Sequence, residues 1–242
     1  MKNADCDCVI LCGGLGTRLR TAVKDVPKVM AQVNGRPFLD LIIEHLKGQG
    51  VDRIVLCTGY QADLVESYYR EHYFGLTIDF SRENQPLGTG GALKNAHPVI
   101  FSDPFLVFNG DSFLPVDLEA FLDFHQKNDA LVSILASPAG QSADFGTLEI
   151  DRSGQVISFR EKIQEAKEPL VNAGIYCFDG TIFEYMPEEE RFSLENDFFP
   201  SLIGEKFYGY RTDKKFMDIG TPERYQAAKD VFKKRKSSED RK

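Results

Sequence analysis

Five residues of this 242-residue chain have the type and the setting to do chemistry: Arg18, Lys28, Asp111, Lys162 and Asp218. Arg18 and Lys28 follow three glycines in four positions (Gly13, Gly14, Gly16), which come directly after the apolar run Val9, Ile10, Leu11. Glycines at that spacing let a backbone turn sharply and bring its N–H groups against an oxyanion with no Cβ in the way. The two cations would add full charge to such a site. A lone glycine cluster equally fits an ordinary strand-to-loop turn with surface cations, so the remaining motifs have to decide.

Two familiar phosphate-binding patterns fail here. After Gly14-x-Gly16 the third Rossmann glycine is replaced by Leu19, and no Gly-Lys-Ser/Thr of a Walker loop follows. The pattern Leu-x-Gly-Gly-x-Gly-Thr-Arg-Leu, with Val26-Pro27-Lys28 downstream, instead resembles the sugar-1-phosphate nucleotidyltransferases. Five further motifs in order carry that resemblance along nearly the whole chain: Pro86-Leu87-Gly88-Thr89-Gly90-Gly91, Asn109-Gly110-Asp111, Phe159-x-Glu161-Lys162, Asn172-Ala173-Gly174-Ile175-Tyr176 and Asp218-Ile219-Gly220-Thr221-Pro222-Glu223. Within the family, Lys24-Asp25-Val26-Pro27-Lys28, Pro37-Phe38-Leu39 and the stretch Glu83 to Gly91 are similar to the short bacterial D-glycero-D-manno-heptose 1-phosphate guanylyltransferases. Val29 departs from the pattern, which commonly has a second proline there.

The reaction implied by the resemblance joins a sugar 1-phosphate to a nucleoside triphosphate at the α-phosphorus. The attacking group is already an anion, so no general base is needed. Catalysis reduces to aligning two mutually repelling anions and neutralising charge on the α-phosphate and the departing pyrophosphate. Asp111 and Asp218 are the candidate ligands for Mg2+, which favours oxygen donors and keeps several waters. Either could instead be an Asp capping a turn. Arg18 can fork onto two phosphate oxygens, whereas Lys28 is a mobile point charge suited to the α-phosphate.

By resemblance, the nucleotide is held by Leu11, Gly13, Gly14, Gly16, Thr17, Arg18, Lys28, Pro86, Leu87, Gly88, Thr89 and Asp111. Lys162 is expected at the phosphate of the sugar 1-phosphate, Glu161 and Asn172 at sugar hydroxyls, and Gly146 where the sugar nears the backbone. Glu195, after Ser193, is a weaker candidate that a helix N-terminal carboxylate explains as well. Glu83 is an acceptor-only carboxylate, and guanine offers adjacent N1–H and N2 amino donors, so Glu83 favours GTP. A plain loop carboxylate remains the alternative. The resemblance also implies a role in surface-glycan precursor synthesis. Two other readings stay open: uridylyl transfer onto another sugar phosphate, and a non-catalytic regulatory subunit that senses a sugar nucleotide.

The elements that must position these residues follow from periodicity. Strands are expected at Val9 to Leu11, Ile54 to Cys57, Leu76 to Phe80, Phe105 to Phe108 and Leu131 to Leu135. Helices at Phe38 to Leu46, Leu64 to Tyr69 and Leu118 to Phe124 lie between them. That alternation predicts a mostly parallel sheet with helices on both faces and ligands at the strand carboxyl ends. The resemblance implies the Rossmann-like three-layer α/β/α architecture of the nucleotide-diphospho-sugar transferases, with a mixed sheet and a smaller sugar-binding lobe. A hairpin from Phe145 to Arg160, strands at Val171 to Phe178 and Phe207 to Tyr210, and a final helix from Pro222 to about Lys234 complete the pattern. Residues 1–235 read as one domain, with a nucleotide part to about 135 and a sugar-phosphate part beyond. Residues 236–242 read as a flexible charged tail.

A net charge of −8 argues against nucleic acid and anionic lipid as partners and leaves a small anionic substrate open. The partners that the resemblance implies are GTP, or another nucleoside triphosphate, and a sugar 1-phosphate. No run of eighteen apolar residues and no signal peptide is present, so a cytoplasmic protein is expected, without a membrane. Five scattered cysteines and four separated histidines read as reduced and structural. A homodimer is the default for a soluble enzyme, though nothing in the sequence specifies one.

Overall fold

The computed structural model describes residues 3–19, 22–23, 25–72, 74–138, 145–161 and 170–239. Its strands, in chain order, are β1 (Cys8–Leu11), β2 (Gln32–Val33), β3 (Arg36–Pro37), β4 (Arg53–Thr58), β5 (Thr77–Arg82), β6 (Phe105–Asn109) and β7 (Ser112–Phe113). There follow β8 (Val132–Pro138), β9 (Gly146–Ile150), β10 (Val156–Glu161), β11 (Leu170–Phe178), β12 (Phe207–Arg211) and β13 (Met217–Asp218). The helices are α1 (Phe38–Gly48), α2 (Ala62–Glu71), α3 (Gly88–Ala96), α4 (Leu118–Lys127), α5 (Ile182–Tyr185) and α6 (Pro222–Glu239).

One nine-stranded sheet forms the middle layer, in the order β10-β9-β11-β6-β1-β4-β5, with β8 pairing β11 and β12. β6, β1, β4 and β5 run parallel, and β11 is antiparallel to β6, β8 and β9. The expected mostly parallel, mixed sheet is therefore present. Period-2 alternation sorts each parallel strand between two cores. Cys8, Ile10, Ile54, Leu56, Leu106 and Phe108 face the core packed by α1, α2, α4 and α6. Val9, Val55, Cys57, Phe105 and Val107 face the other, with α3 and the aromatic pair Phe198 and Phe199.

Two differences from the periodicity reading have physical causes. Helix α3 is built from Gly-Thr-Gly-Gly-Ala-Leu, a composition that argues against a helix. Its glycines are contact positions: a Cβ at Gly90 would stand 2.1 Å from the Phe192 ring, and one at Gly91 2.1 Å from the Glu190 carbonyl. The 190–192 segment lies directly on the helix and is tied to it by hydrogen bonds from Gly90 N and Gly91 N to Phe192 O. Helix α6 runs on to Glu239, past Lys234 and into the expected tail, because Lys233 to Lys236 are good helix formers.

All five cysteines are free and buried. Among the described residues no group of three or more His, Cys, Asp and Glu could hold a metal, and no helix is long and apolar enough to cross a membrane.

Candidate active site

Parallel register assembles the nucleotide side. Leu11, the last residue of β1, pairs with Asn109, the last of β6, so the glycine loop and Asn109-Gly110-Asp111 leave the sheet side by side. Gly110 N donates to Leu11 O at 3.0 Å, an approach a Cβ would block at 2.8 Å. Gly16 has φ +58°, and the Lys28 Cβ lies where its own side chain would be. The turn therefore delivers Lys28 to the loop. Gly14 has open space above it and Arg18 is exposed at the end of the loop.

The other parallel strand ends supply Glu83. It follows β5, and its N–H donates to Thr58 O at 2.9 Å. Its Oε2 accepts from Leu87 N at 3.1 Å, while Oε1 sits 2.5 Å from where a Gly13 Cβ would be. Burial raises the Glu83 carboxyl above its usual range. The carboxylate thus stands against the glycine loop, with Leu87 and Gly88 beside it.

Asp111 and Asp218 meet through a ladder that periodicity did not reveal. β7 and β13 pair antiparallel, Ser112 opposite Asp218, and Ile219 N donates to Asp111 O at 3.0 Å. Each carboxylate holds one cation. Lys28 Nζ is 2.5 Å from Asp111 Oδ2, and Arg224 is 3.2 Å from Asp218 Oδ2. Burial works against ionisation of Asp111, but the Lys28 ammonium and the Ser112 hydroxyl hold its carboxyl below the usual range. Burial lifts the Asp218 carboxyl, with the charge of Asp111 adding to it, against Arg224 and the Gly220 N–H at 2.6 Å. Two oxygen-donor carboxylates that repel each other fit a divalent cation that keeps water or phosphate oxygens as its other ligands.

The sugar side rests on an irregular strand. Between Asn172 and Tyr176 the β8–β11 register slips: four residues of β11 span two of β8. Gly174 sits in that bulge at φ +72°. Asn172 is buried, its Oδ1 accepting from Gly174 N and its Nδ2 donating to the Tyr176 hydroxyl, each at 2.8 Å. One acceptor and one donor position of the amide stay unused by these bonds. The Tyr176 hydroxyl donates in turn to Glu195 Oε1 at 3.3 Å, and Glu195 Oε2 accepts from Thr89 at 2.6 Å and Ser193 at 2.9 Å. Thr89, expected at the nucleotide, thus directs its hydroxyl hydrogen at Glu195 and joins α3 to the sugar side. Gly146 pairs with Glu161 across the β9–β10 hairpin.

Arg18, Lys28, Asp111, Gly146, Asn172, Glu195 and Asp218 line one cleft of about 180 Å³; Glu83 and the glycines of the loop are not among its lining residues. Lys162 and the side chain of Glu161 lie outside the described residues. Arg224 and Asn109 line the same cleft and were not assigned from the sequence. Arg224 could have been suspected from its place in the first turn after Thr221-Pro222, which returns it toward Asp218. Among the described residues Asn109 Oδ1 is buried without a hydrogen-bond partner, which no sequence signal foretells.

The nucleotidyl transferase family pattern matches residues 7–235. A D-glycero-alpha-D-manno-heptose 1-phosphate guanylyltransferase of Aneurinibacillus thermoaerophilus is 38% identical over 223 residues, 92% of this chain and 96% of that protein. One from Campylobacter jejuni is 36% identical over 217 residues, 90% of this chain and 96% of that protein. The crystal structure of HddC from Yersinia pseudotuberculosis superposes with a TM-score of 0.83 at 38% identity, covering 93% of this chain and 99% of the other. A second HddC structure, complexed with GMP-PN, superposes at 0.82. By the extent of these matches and by its motifs, the chain belongs to the nucleotidyl transferase family.

Proposed function

We propose that the chain transfers GMP from GTP to D-glycero-α-D-manno-heptose 1-phosphate, giving GDP-heptose and pyrophosphate. The observation that carries this reading is the convergence of Arg18, Lys28, Asp111 and Asp218 with Gly146, Asn172 and Glu195 on one cleft. The similarity of nearly the full chain to heptose 1-phosphate guanylyltransferases supports the choice of substrates.

In the proposed reaction a phosphate oxygen of the sugar 1-phosphate attacks the α-phosphorus in line, the bond from that phosphorus to the bridging oxygen breaks, and pyrophosphate leaves with the electron pair. No proton has to move. The glycine loop and Arg18 hold the β- and γ-phosphates, and Lys28 follows the α-phosphate as charge builds on it. Asn172 orients the sugar through the hydrogen-bonding positions it has left. A divalent cation, for which we take magnesium, would be held by Asp111 and Asp218 and would supply charge neutralisation at the phosphates. Glu83 would accept from the guanine N1–H and N2 amino group, since each carboxylate oxygen keeps a lone pair beyond the Leu87 bond.

The test incubates the protein with magnesium, each of GTP, UTP, dTTP and CTP, and a panel of sugar 1-phosphates, reading pyrophosphate release. GTP with the heptose 1-phosphate should give the highest kcat/KM. Release with UTP and none with GTP would overturn the guanylyl assignment, and no release with any pair would overturn catalysis.

A further inference from the structure

Arg224 has no role in the reaction as written above, yet it is built into the cleft. Its guanidinium lies 4.9 Å from the centre of the Phe145 ring, one residue before Gly146, and so enters from the sugar side. Gly220 leaves room for it: a Cβ there would stand 2.6 Å from Asp218 Oδ1 and 3.2 Å from an Arg224 nitrogen. The Arg224 and Asp218 side chains are only 18% and 9% exposed. Among the described lining residues the charges balance, with Arg18, Lys28 and Arg224 against Asp111, Asp218 and Glu195. Those described residues carry no net charge with which to gather two phosphate-bearing anions.

Lys28 on Asp111 and Arg224 on Asp218 form two parallel pairs. Asp111 and Asp218 would hold a divalent cation between them, and its charge would do for both carboxylates what Lys28 and Arg224 do without it. We propose that Arg224 is a transferable phosphate ligand: it neutralises Asp218 in the free protein and contacts the phosphate of the sugar 1-phosphate once a cation occupies the carboxylates. The inference rests on the proposed reaction and adds a substrate-binding residue to it. Lys28 approaches from the glycine loop and serves the nucleotide, whereas Arg224 approaches from Phe145 and serves the other anion. A guanidinium suits that place because its planar fork can grip two phosphate oxygens, which an ammonium cannot.

The test reads binding rather than turnover. Calorimetric titrations with D-glycero-α-D-manno-heptose 1-phosphate and with α-D-mannose 1-phosphate, which share the phosphate, are run on the whole protein with and without magnesium. With magnesium, Arg224→Met should weaken both sugar phosphates at least tenfold and change GTP affinity less than twofold, and Arg224→Lys should fall between. Without magnesium, Asp218→Asn removes the carboxylate paired with the guanidinium at 3.2 Å, and should strengthen sugar-phosphate binding severalfold. The double variant Asp218→Asn/Arg224→Met should abolish that gain, and it keeps the buried site neutral if Arg224→Met alone is unstable. Unchanged sugar-phosphate affinity in Arg224→Met, or a gain that survives in the double variant, would reduce Arg224 to a counter-ion and overturn the proposal. If wild-type protein binds mannose 1-phosphate but not the heptose compound, the sugar assignment fails while Arg224 is still decided. Binding of neither overturns both.

Discussion

The two halves of the sheet, to which the proposed reaction gives the two substrates, are built of different materials. On the parallel half, the ends of β1, β4, β5 and β6 offer mostly backbone: glycine-loop N–H groups, Gly110 against Leu11, and the turn that brings Lys28 to Gly16. On the half built from β8 to β12, the surface is made of side chains locked to one another through Asn172, Tyr176 and Glu195 around a bulge. A triphosphate looks the same in every nucleotide, so main-chain donors on a rigid frame suffice to hold it. A pattern of sugar hydroxyls has to be matched by particular acceptors and donors at fixed angles. On the proposed reading the first half can therefore stay generic toward the triphosphate, with Glu83 reading the base, while the second sets the sugar.

The largest effect expected on this comparison comes from the cation of the generic half. Lys28→Met should lower kcat by about 10²–10³-fold, on the order of 3–4 kcal/mol of transition-state stabilisation, with every nucleotide and sugar tried. Steady-state kinetics would show it, and a loss confined to one sugar would break the division of labour. The next effect should enter through the other half. His125, on α4, is buried against Ser133 of β8 at 2.9 Å, and burial pushes its pKa down to about 4. The unfolded chain takes that proton near pH 6.5 and the folded one only near 4, so stability is full above about 6.5 and falls as pH drops through that window. The loss should approach about 3 kcal/mol. Urea unfolding at a series of pH values would read it, and His125→Gln should flatten the slope between pH 6.5 and 4.

Glycine variants sharpen the contrast at a smaller scale. At Gly174 an alanine Cβ would meet the Asn109 side chain at 2.9 Å while the backbone stays at φ +72°. Gly174→Ala should therefore lose about 2 kcal/mol in thermal or urea unfolding and raise KM for the sugar phosphate. Gly14 has nothing within 4 Å among the described residues and no positive φ, so Gly14→Ala should stay within about 0.5 kcal/mol of wild type and raise KM for GTP alone. The last change is one of preference and not of stability. Glu83→Gln replaces one acceptor by a donor, and the ratio of kcat/KM for GTP over UTP should fall by about tenfold, near 1.4 kcal/mol. An unchanged ratio would remove Glu83 from base selection.

Much of the parallel half was legible because its signals are local. β1 announces itself by Val9, Ile10 and Leu11, and the glycine spacing and Asp111 follow directly. The pairing of β7 with β13 was not, since two-residue strands more than a hundred positions apart leave no periodicity. Helix α3 was hidden for the opposite reason: Gly88, Gly90 and Gly91 signal a loop until the 190–192 segment is seen lying on them. Asn172 and Glu195 were named as candidates, but the hydrogen bonds that join them pass through Tyr176, whose role depends on the bulge at Gly174. Arg224 has a sequence signal in its place after Thr221-Pro222, but its partner is given by its distance to Asp218.

In the proposed reaction the nucleotide held by one half is cut at its α-phosphorus by the sugar phosphate held by the other. Incubation with magnesium, D-glycero-α-D-manno-heptose 1-phosphate and GTP labelled with ³²P at either the α or the γ position tests it most directly. The account predicts that the α label appears in GDP-heptose and the γ label in pyrophosphate. A γ label in the sugar product, or no labelled sugar nucleotide from α-labelled GTP, would contradict it.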